Sequence, residues 1–408
     1  MVRFLMMMVL AICLLLGVEL RKVGGQPVIR LDNSPVIGGN NQFAIDLFRA
    51  IRSRPGNVSL APASVSTALA MTYEGARGET AEEMARVLHL PADREALHRG
   101  FRELIARLNG DGAERPYRLV SANSLWGQKG DHFLPDFLRT LTEVYGAEIH
   151  PVDFRHAAEA ARLAINAWVD AKTNHLIPEL LSSRDVRSDT SLVLVNTVYF
   201  KGSWLYPFAK AATAPADFHL ADGSKISVAT MRQTHRLPHA QGDGFGLLEL
   251  PYKGGDLAFD IVLPNEGVSL DKVESALALP ELQQTIDRLG EREVALAMPK
   301  FKVTAGAELS EPLSGLGMAR AFSSKDADFS GIDGTRELFL SKVVHQVVVN
   351  LDEEGTEAAA ATAVIVTRAM ARVTPPLVFR VDRPFLYLIR DVKTGAILFL
   401  GRVADPTR

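Results

Sequence analysis

The chain has 408 residues, of which 47% are hydrophobic and 23% charged, with a formal net charge of −3. This is the composition of a globular protein with a large core, and it excludes a disordered or fibrous chain. Near-neutral charge gives no basis for a nucleic-acid or anionic-membrane partner, and a single cysteine, Cys13, excludes a disulfide framework.

In chain order, a short basic start at 1–3 precedes an apolar run over 4–18. A membrane span needs roughly 20 residues, so the run fits the centre of a secretory signal better than a spanning helix. The expectation is a signal peptide over 1–25, with its cleavage point open, and a secreted product, extracellular or, in a bacterium, periplasmic. Cys13 would leave with it. From 26 to 408 there is no Pro/Ser-rich or highly charged linker and no internal repeat, so one domain is expected.

Apolar residues at helical spacing predict a helix over 41–51, stopped by Pro55-Gly56. A second runs over 64–73 behind Pro62. A third starts at Thr80, with Glu82 and Glu83 in its first turn, where acidic groups suit the helix dipole. An amphipathic helix over 93–108 carries Arg94, Arg99, Arg102 and Arg107, and another covers 157–173. Strand character dominates 119–126, 192–200, 246–250, 257–263 and 294–299. Helices gather early and strands late, which predicts an α+β fold.

The most unusual stretch is Glu353-Glu354-Gly355-Thr356-Glu357-Ala358-Ala359-Ala360-Ala361-Thr362. Four alanines favour a helix, yet the β-branched run at 363–367 favours a strand. Both readings stand on these residues alone. Read as a strand from Thr356, one face would present Thr356, Ala358, Ala360, Thr362, Val364 and Val366, all small or β-branched and uncharged. Glu357 falls on the other face, where its carboxylate stays hydrated. A buried unpaired charge would be costly.

Several segments together resemble the serpin family. They are Asn57-Val58-Ser59-Leu60-Ala61-Pro62 through Met71 with the Gly75–Thr80 turn, Asn166-Ala167-Trp168-Val169, and Leu194-Val195-Asn196-Thr197-Val198-Tyr199-Phe200. His345, Arg383-Pro384-Phe385 and Leu398-Phe399-Leu400-Gly401-Arg402-Val403 complete the set, which runs in order from about 41 to 406. Ala61 departs from the serine usual in the family. The resemblance implies three β-sheets with eight or nine helices, and an exposed reactive-centre loop at about 353–376. It implies a hinge at Glu353 to Thr362 that enters the central sheet as a strand after cleavage. It also implies a sheet-opening region around Ser64, Asn196 and His345.

The expected function is inhibition of a target serine protease as a suicide substrate, without turnover by the chain itself. Fourteen residues past Gly355 the family ruler places the reactive bond at Ala369-Met370, which suits an elastase-like or subtilisin-like pocket. Arg368 and Arg372 are alternatives that would suit a trypsin-like enzyme. The rival reading is a non-inhibitory serpin-fold carrier, chaperone or storage protein. Such proteins tend to carry bulky, charged or proline residues in the hinge, and Thr356 to Thr362 has no proline and one outward charge.

Other candidates carry less. His345 has no Gly-x-Ser-x-Gly elbow to serve, so it reads as a buried histidine under the sheet. His235 and His239 are four apart, but Pro238 breaks a helical metal pair, and no metal or cofactor is expected. The helical arginines alternate with Asp93, Glu95 and Glu103, which argues for a solvated face over a glycosaminoglycan site. Asn57-Val58-Ser59 is a sequon expected to be unused, Trp126, Trp168 and Trp204 read as core, and a monomer is expected.

Overall fold

The computed structural model describes residues 21–23, 26–28, 34–109, 116–173, 175–356 and 375–408. Helix α1 (Pro35–Ile51) begins at a proline, which tolerates the first helical turn because its missing N–H would have no partner there. It therefore starts six residues before the predicted 41. Gly38 and Gly39 lie inside it, and Gly39 is required: a Cβ there would meet the His89 carbonyl oxygen at 2.2 Å.

Helices α2 (Pro62–Tyr73), α3 (Gly78–Val87), α4 (Arg94–Asn109), α5 (Pro135–Thr140) and α6 (Phe154–Lys172) follow. Later come α7 (Leu270–Ala276), α8 (Leu279–Asp287) and two single turns, α9 (Ser310–Leu313) and α10 (Ser330–Asp333). These single turns lift the tally among the described residues above the expected eight or nine.

Among the described residues the strands form three sheets. A small pair joins β1 (Arg21–Val23) to β2 (Gln26–Val28). The central sheet contains β4 (Tyr117–Gln128), β5 (Ile149–Val152), β6 (Leu192–Ser203), β12 (Phe301–Glu308), β13 (Leu340–Leu351) and the two-residue β14 (Gly355–Thr356). Their order is β12-β13-β14-β6-β4-β5, and β13 also pairs directly with β6 in parallel.

The third sheet has nine strands. They are β3 (Val58–Leu60), β7 (Ala214–His219), β8 (Lys225–Gln241), β9 (Phe245–Pro251), β10 (Leu257–Pro264), β11 (Gly290–Pro299), β15 (Leu377–Arg380), β16 (Phe385–Asp391) and β17 (Ile397–Val403).

Alternation along β6 divides the central sheet's two faces. Val193 and Val195 pack with Val344, Val348 and Trp126 beneath α6, through Phe154, Ile165 and Val169. The opposite face carries Leu192, Leu194, Val198 and Phe200 into the main core with α2. Asn196 lies on that face, a polar residue among aliphatics.

Candidate functional site

Register brings three polar side chains into one row across the central sheet. Asn123 of β4 is paired with Asn196 of β6, which is paired with His345 of β13. Ser64 of α2 meets the row from below. Its Oγ lies 2.5 Å from the Asn196 Nδ2 donor and 3.2 Å from Asn123 Oδ1, and it exchanges a 2.5 Å hydrogen bond with Ser121 Oγ. Asn196 also donates to Asn123 Oδ1 and accepts from His345 Nδ1.

His345 Nε2 accepts the Ala61 backbone N–H at 3.0 Å. That fixes a neutral ring with its proton on Nδ1. Burial pushes the ring's pKa down to about 3. The bond at position 61 comes from backbone, so alanine in place of the family's serine leaves it intact. The structure thus brings Ser64, Asn196 and His345 together, and adds Asn123 and Ser121. Plain alternation along β4 could have flagged these last two as polar positions on a core face.

The upper end of the sheet holds the acidic lead-in. Glu353 is 4% exposed and its carboxylate takes Lys300 Nζ at 2.8 Å and the Thr213 hydroxyl at 2.8 Å. Burial alone would raise its pKa, but these hydrogen bonds outweigh that and hold it below the usual carboxylate range. Glu354 pairs with Lys210 at 2.6 Å. The same turn is bound through backbone: Phe208 N–H donates to Glu353 O at 2.8 Å and Trp204 N–H to Glu354 O at 2.9 Å. Trp204 Nε1–H donates to Asp352 O at 3.0 Å.

Gly355 follows with φ +152, and a Cβ there would lie 1.9 Å from the Gly202 carbonyl oxygen, so no other residue fits. Gly355 and Thr356 then pair antiparallel with Ser203 and Gly202 of β6, and Thr356 also faces Leu351 of β13. The Thr356 side chain is fully buried. Glu357, Ala358, Ala359, Ala360, Ala361 and Thr362 lie outside the described residues, as do Arg368, Ala369, Met370 and Arg372.

The remaining candidates disperse. His235 stacks on Tyr206 with centroids 3.6 Å apart, whereas His239 faces Phe379 at 6.0 Å. No group of three or more metal-capable side chains occurs among the described residues. On α4, Arg94 is drawn to buried Glu74 at 2.8 Å, Arg99 to Glu95 at 3.8 Å and Arg107 to Asp391 at 3.5 Å. Asn57 spends its whole amide on the C-terminal segment: it donates to the Asp405 and Arg408 carbonyls and accepts from the Ala404 and Asp405 N–H groups.

The central sheet thus has an internal row of polar residues and a two-residue strand, β14, seated between β13 and β6. The chain belongs to the serpin family of serine protease inhibitors, whose family model matches residues 38–406. It is 44% identical to the leukocyte elastase inhibitor of Bos taurus over 377 residues, covering 90% of this chain and 98% of that protein. Among solved structures it resembles Serpin48, a highly specific serpin of the insect Tenebrio molitor (TM-score 0.80, 31% identity, 92% of this chain and 99% of that one). It also resembles human thyroxine-binding globulin (TM-score 0.83, 30% identity, 92% and 100%).

The secreted or periplasmic destination expected from the apolar start does not stand, because the leukocyte elastase inhibitors are intracellular serpins. Residues 1–20 lie outside the described residues, and no described helix is long and apolar enough to cross a membrane.

Proposed function

We propose that this serpin acts as a suicide substrate through a reactive-centre loop at 353–376. A target protease's serine attacks the Ala369 carbonyl carbon and the bond to Met370 breaks. The new amine departs with a proton from the protease's histidine, leaving an ester. Before water hydrolyses that ester, the freed loop enters between β13 and β6 and carries the protease with it. The chain is consumed and does not turn over.

The observation that carries this reading is Thr356, already seated between those two strands in the uncleaved chain. The phasing of the following residues supports it, since the set in step with Thr356 is small or β-branched. Ala369 favours a protease with a shallow apolar pocket, elastase-like or subtilisin-like, while Arg368 or Arg372 would redirect the loop to a trypsin-like enzyme.

Incubation with elastase, subtilisin, trypsin and a cysteine protease tests this. The expected result is an SDS-stable complex with one of the serine proteases. Mass spectrometry of the released peptide then locates the bond. Cleavage by all of them without a covalent complex would instead favour the non-inhibitory carrier reading.

A further inference from the structure

The hinge threonine does not sit in the central sheet by backbone pairing alone. Its hydroxyl meets a tyrosine hydroxyl, Thr356 Oγ1 to Tyr252 Oη, at 2.7 Å, and both residues are fully buried. Tyr252 lies beyond the end of β9, bridged to Trp204. Its ring is held on two sides, stacked on Trp204 at 4.7 Å and 15° and edge-on to Phe200 at 5.1 Å and 82°. Gly202, the strand partner of Thr356, makes room for that ring, since a Cβ there would fall 3.0 Å from Tyr252 Cδ1. A ring fixed this firmly aims its hydroxyl at one point, and Thr356 occupies that point.

We propose that Tyr252 is a positioning residue for loop insertion: its hydroxyl holds Thr356 as the first rung of the incoming strand before any protease arrives. This rests on the suicide-substrate reading above. Among the described residues the two hydroxyls are each other's only side-chain partners, so withdrawal of Thr356 would strand the Tyr252 hydroxyl in a dry site. Leaving a buried polar group unpaired shifts such an equilibrium by about tenfold or more. Burial also pushes the Tyr252 pKa well above the usual phenol value, so the hydroxyl stays protonated at any ordinary pH. A rung already in place shortens the search that insertion must win against hydrolysis of the ester.

The test is Tyr252→Phe, which keeps the ring and removes the hydroxyl, compared with Thr356→Val, the double variant, and Thr356→Ser as the rescue. With no protease present, hydrogen exchange of a peptide spanning 351–356 is expected to quicken about tenfold in Tyr252→Phe and Thr356→Val. The double variant should be no faster than either, and Thr356→Ser should match the parent. With protease, more inhibitor molecules should be consumed per protease trapped, several-fold over the parent, while the rate of first encounter stays unchanged. Unchanged exchange, or effects that add in the double variant, would overturn the proposal whatever the proteases do. Exchange that responds as expected, in a parent chain that traps no protease, would leave Tyr252 as the holder of Thr356 and remove the suicide-substrate reading instead.

Discussion

His345 illustrates how one proton can be excluded from a sheet. Its Nε2 already accepts from Ala61, so a second ring proton would point one N–H at another. The ring therefore stays neutral in the folded chain down to about pH 3, whereas in the unfolded chain it titrates near 6.5. Folded-state pKa lies below the unfolded value, so the unfolded chain binds the extra proton first. The contribution is complete above about pH 6.5 and falls by about 1.4 kcal/mol per pH unit below it. Urea unfolding at pH 7 and pH 5 should show a larger loss in the parent chain than in His345→Gln, which has nothing to titrate.

Thr356 sets a second limit at this scale. An arginine there cannot remain buried beside Tyr252 without stranding its charge. Thr356→Arg is expected to turn the inhibitor into a substrate, read as full cleavage with no covalent complex. Ser64, Asn196 and His345 were legible through resemblance. Tyr252, Lys300 and Thr213 were not, because each lies on a different strand or loop from its partner and only tertiary pairing reveals the contact.

At the scale of elements, α6 is strapped down by the chain that follows it. Asn166 accepts the N–H groups of Leu180 and Leu181 at 3.1 and 2.8 Å and donates to the Leu181 carbonyl at 2.9 Å. Arg162 reaches the same carbonyl at 2.7 Å. Asn166→Ala would leave two amides without their acceptor, at about 1–3 kcal/mol each where water cannot replace it. Faster exchange confined to 177–181 is the expected signature.

The Glu353 turn is another element-scale fastening. Glu353→Gln keeps the shape but weakens the bonds to Lys300 and Thr213. Because Lys300 is 38% exposed, the loss should be about 1 kcal/mol, measured as a lower urea midpoint at pH 7. As pH falls through the depressed folded pKa, parent and variant should converge.

Element boundaries were partly legible. The helices at 64–73 and 93–108 fall within a residue or two of α2 and α4. Gly38-Gly39 hid the start of α1, since glycine's usual cost in a helix is outweighed here by the close approach of His89. Strand β8, 17 residues long, was missed because Pro238 and two histidines break the apolar alternation. Leu237, Pro238 and Ala240 are all buried, so burial there does not alternate, and Pro238 lies just before the pairing with β9 begins at His239.

For the molecule as a whole, the central sheet is divided in purpose. Below Thr356, β13 and β6 pair directly from 340 to 348 against 192 to 199. Insertion must open that parallel ladder and close two new ones. On the proposed mechanism one ladder is exchanged for two, and the intact chain would stand above a lower-energy arrangement, held there by a barrier. Cleavage of the loop by a protease that escapes should yield a chain with a higher thermal midpoint than the intact one, by scanning calorimetry. An unchanged midpoint would count against insertion. Global architecture was the most legible level, because strand-rich and helix-rich stretches are long. The pairing of 340–348 with 192–199 was not, since parallel partners so far apart leave no local trace.

Arg402 gives this architecture a clock. Its guanidinium caps the last turn of α1, bonding the carbonyls of Arg52 at 2.8 Å and Gly56 at 2.9 Å, and it also reaches the Arg54 carbonyl and Glu274. Donor and first acceptor are 350 residues apart. A ribosome adding about 5–20 residues per second leaves α1 uncapped for roughly 20–70 s. During that interval α1 and α2 have no β17 to cover their apolar faces, and the nascent chain must be kept from its neighbours by other means. For that interval the apolar faces of α1 and α2 depend on something other than β17 for cover, well before any protease reaches the loop.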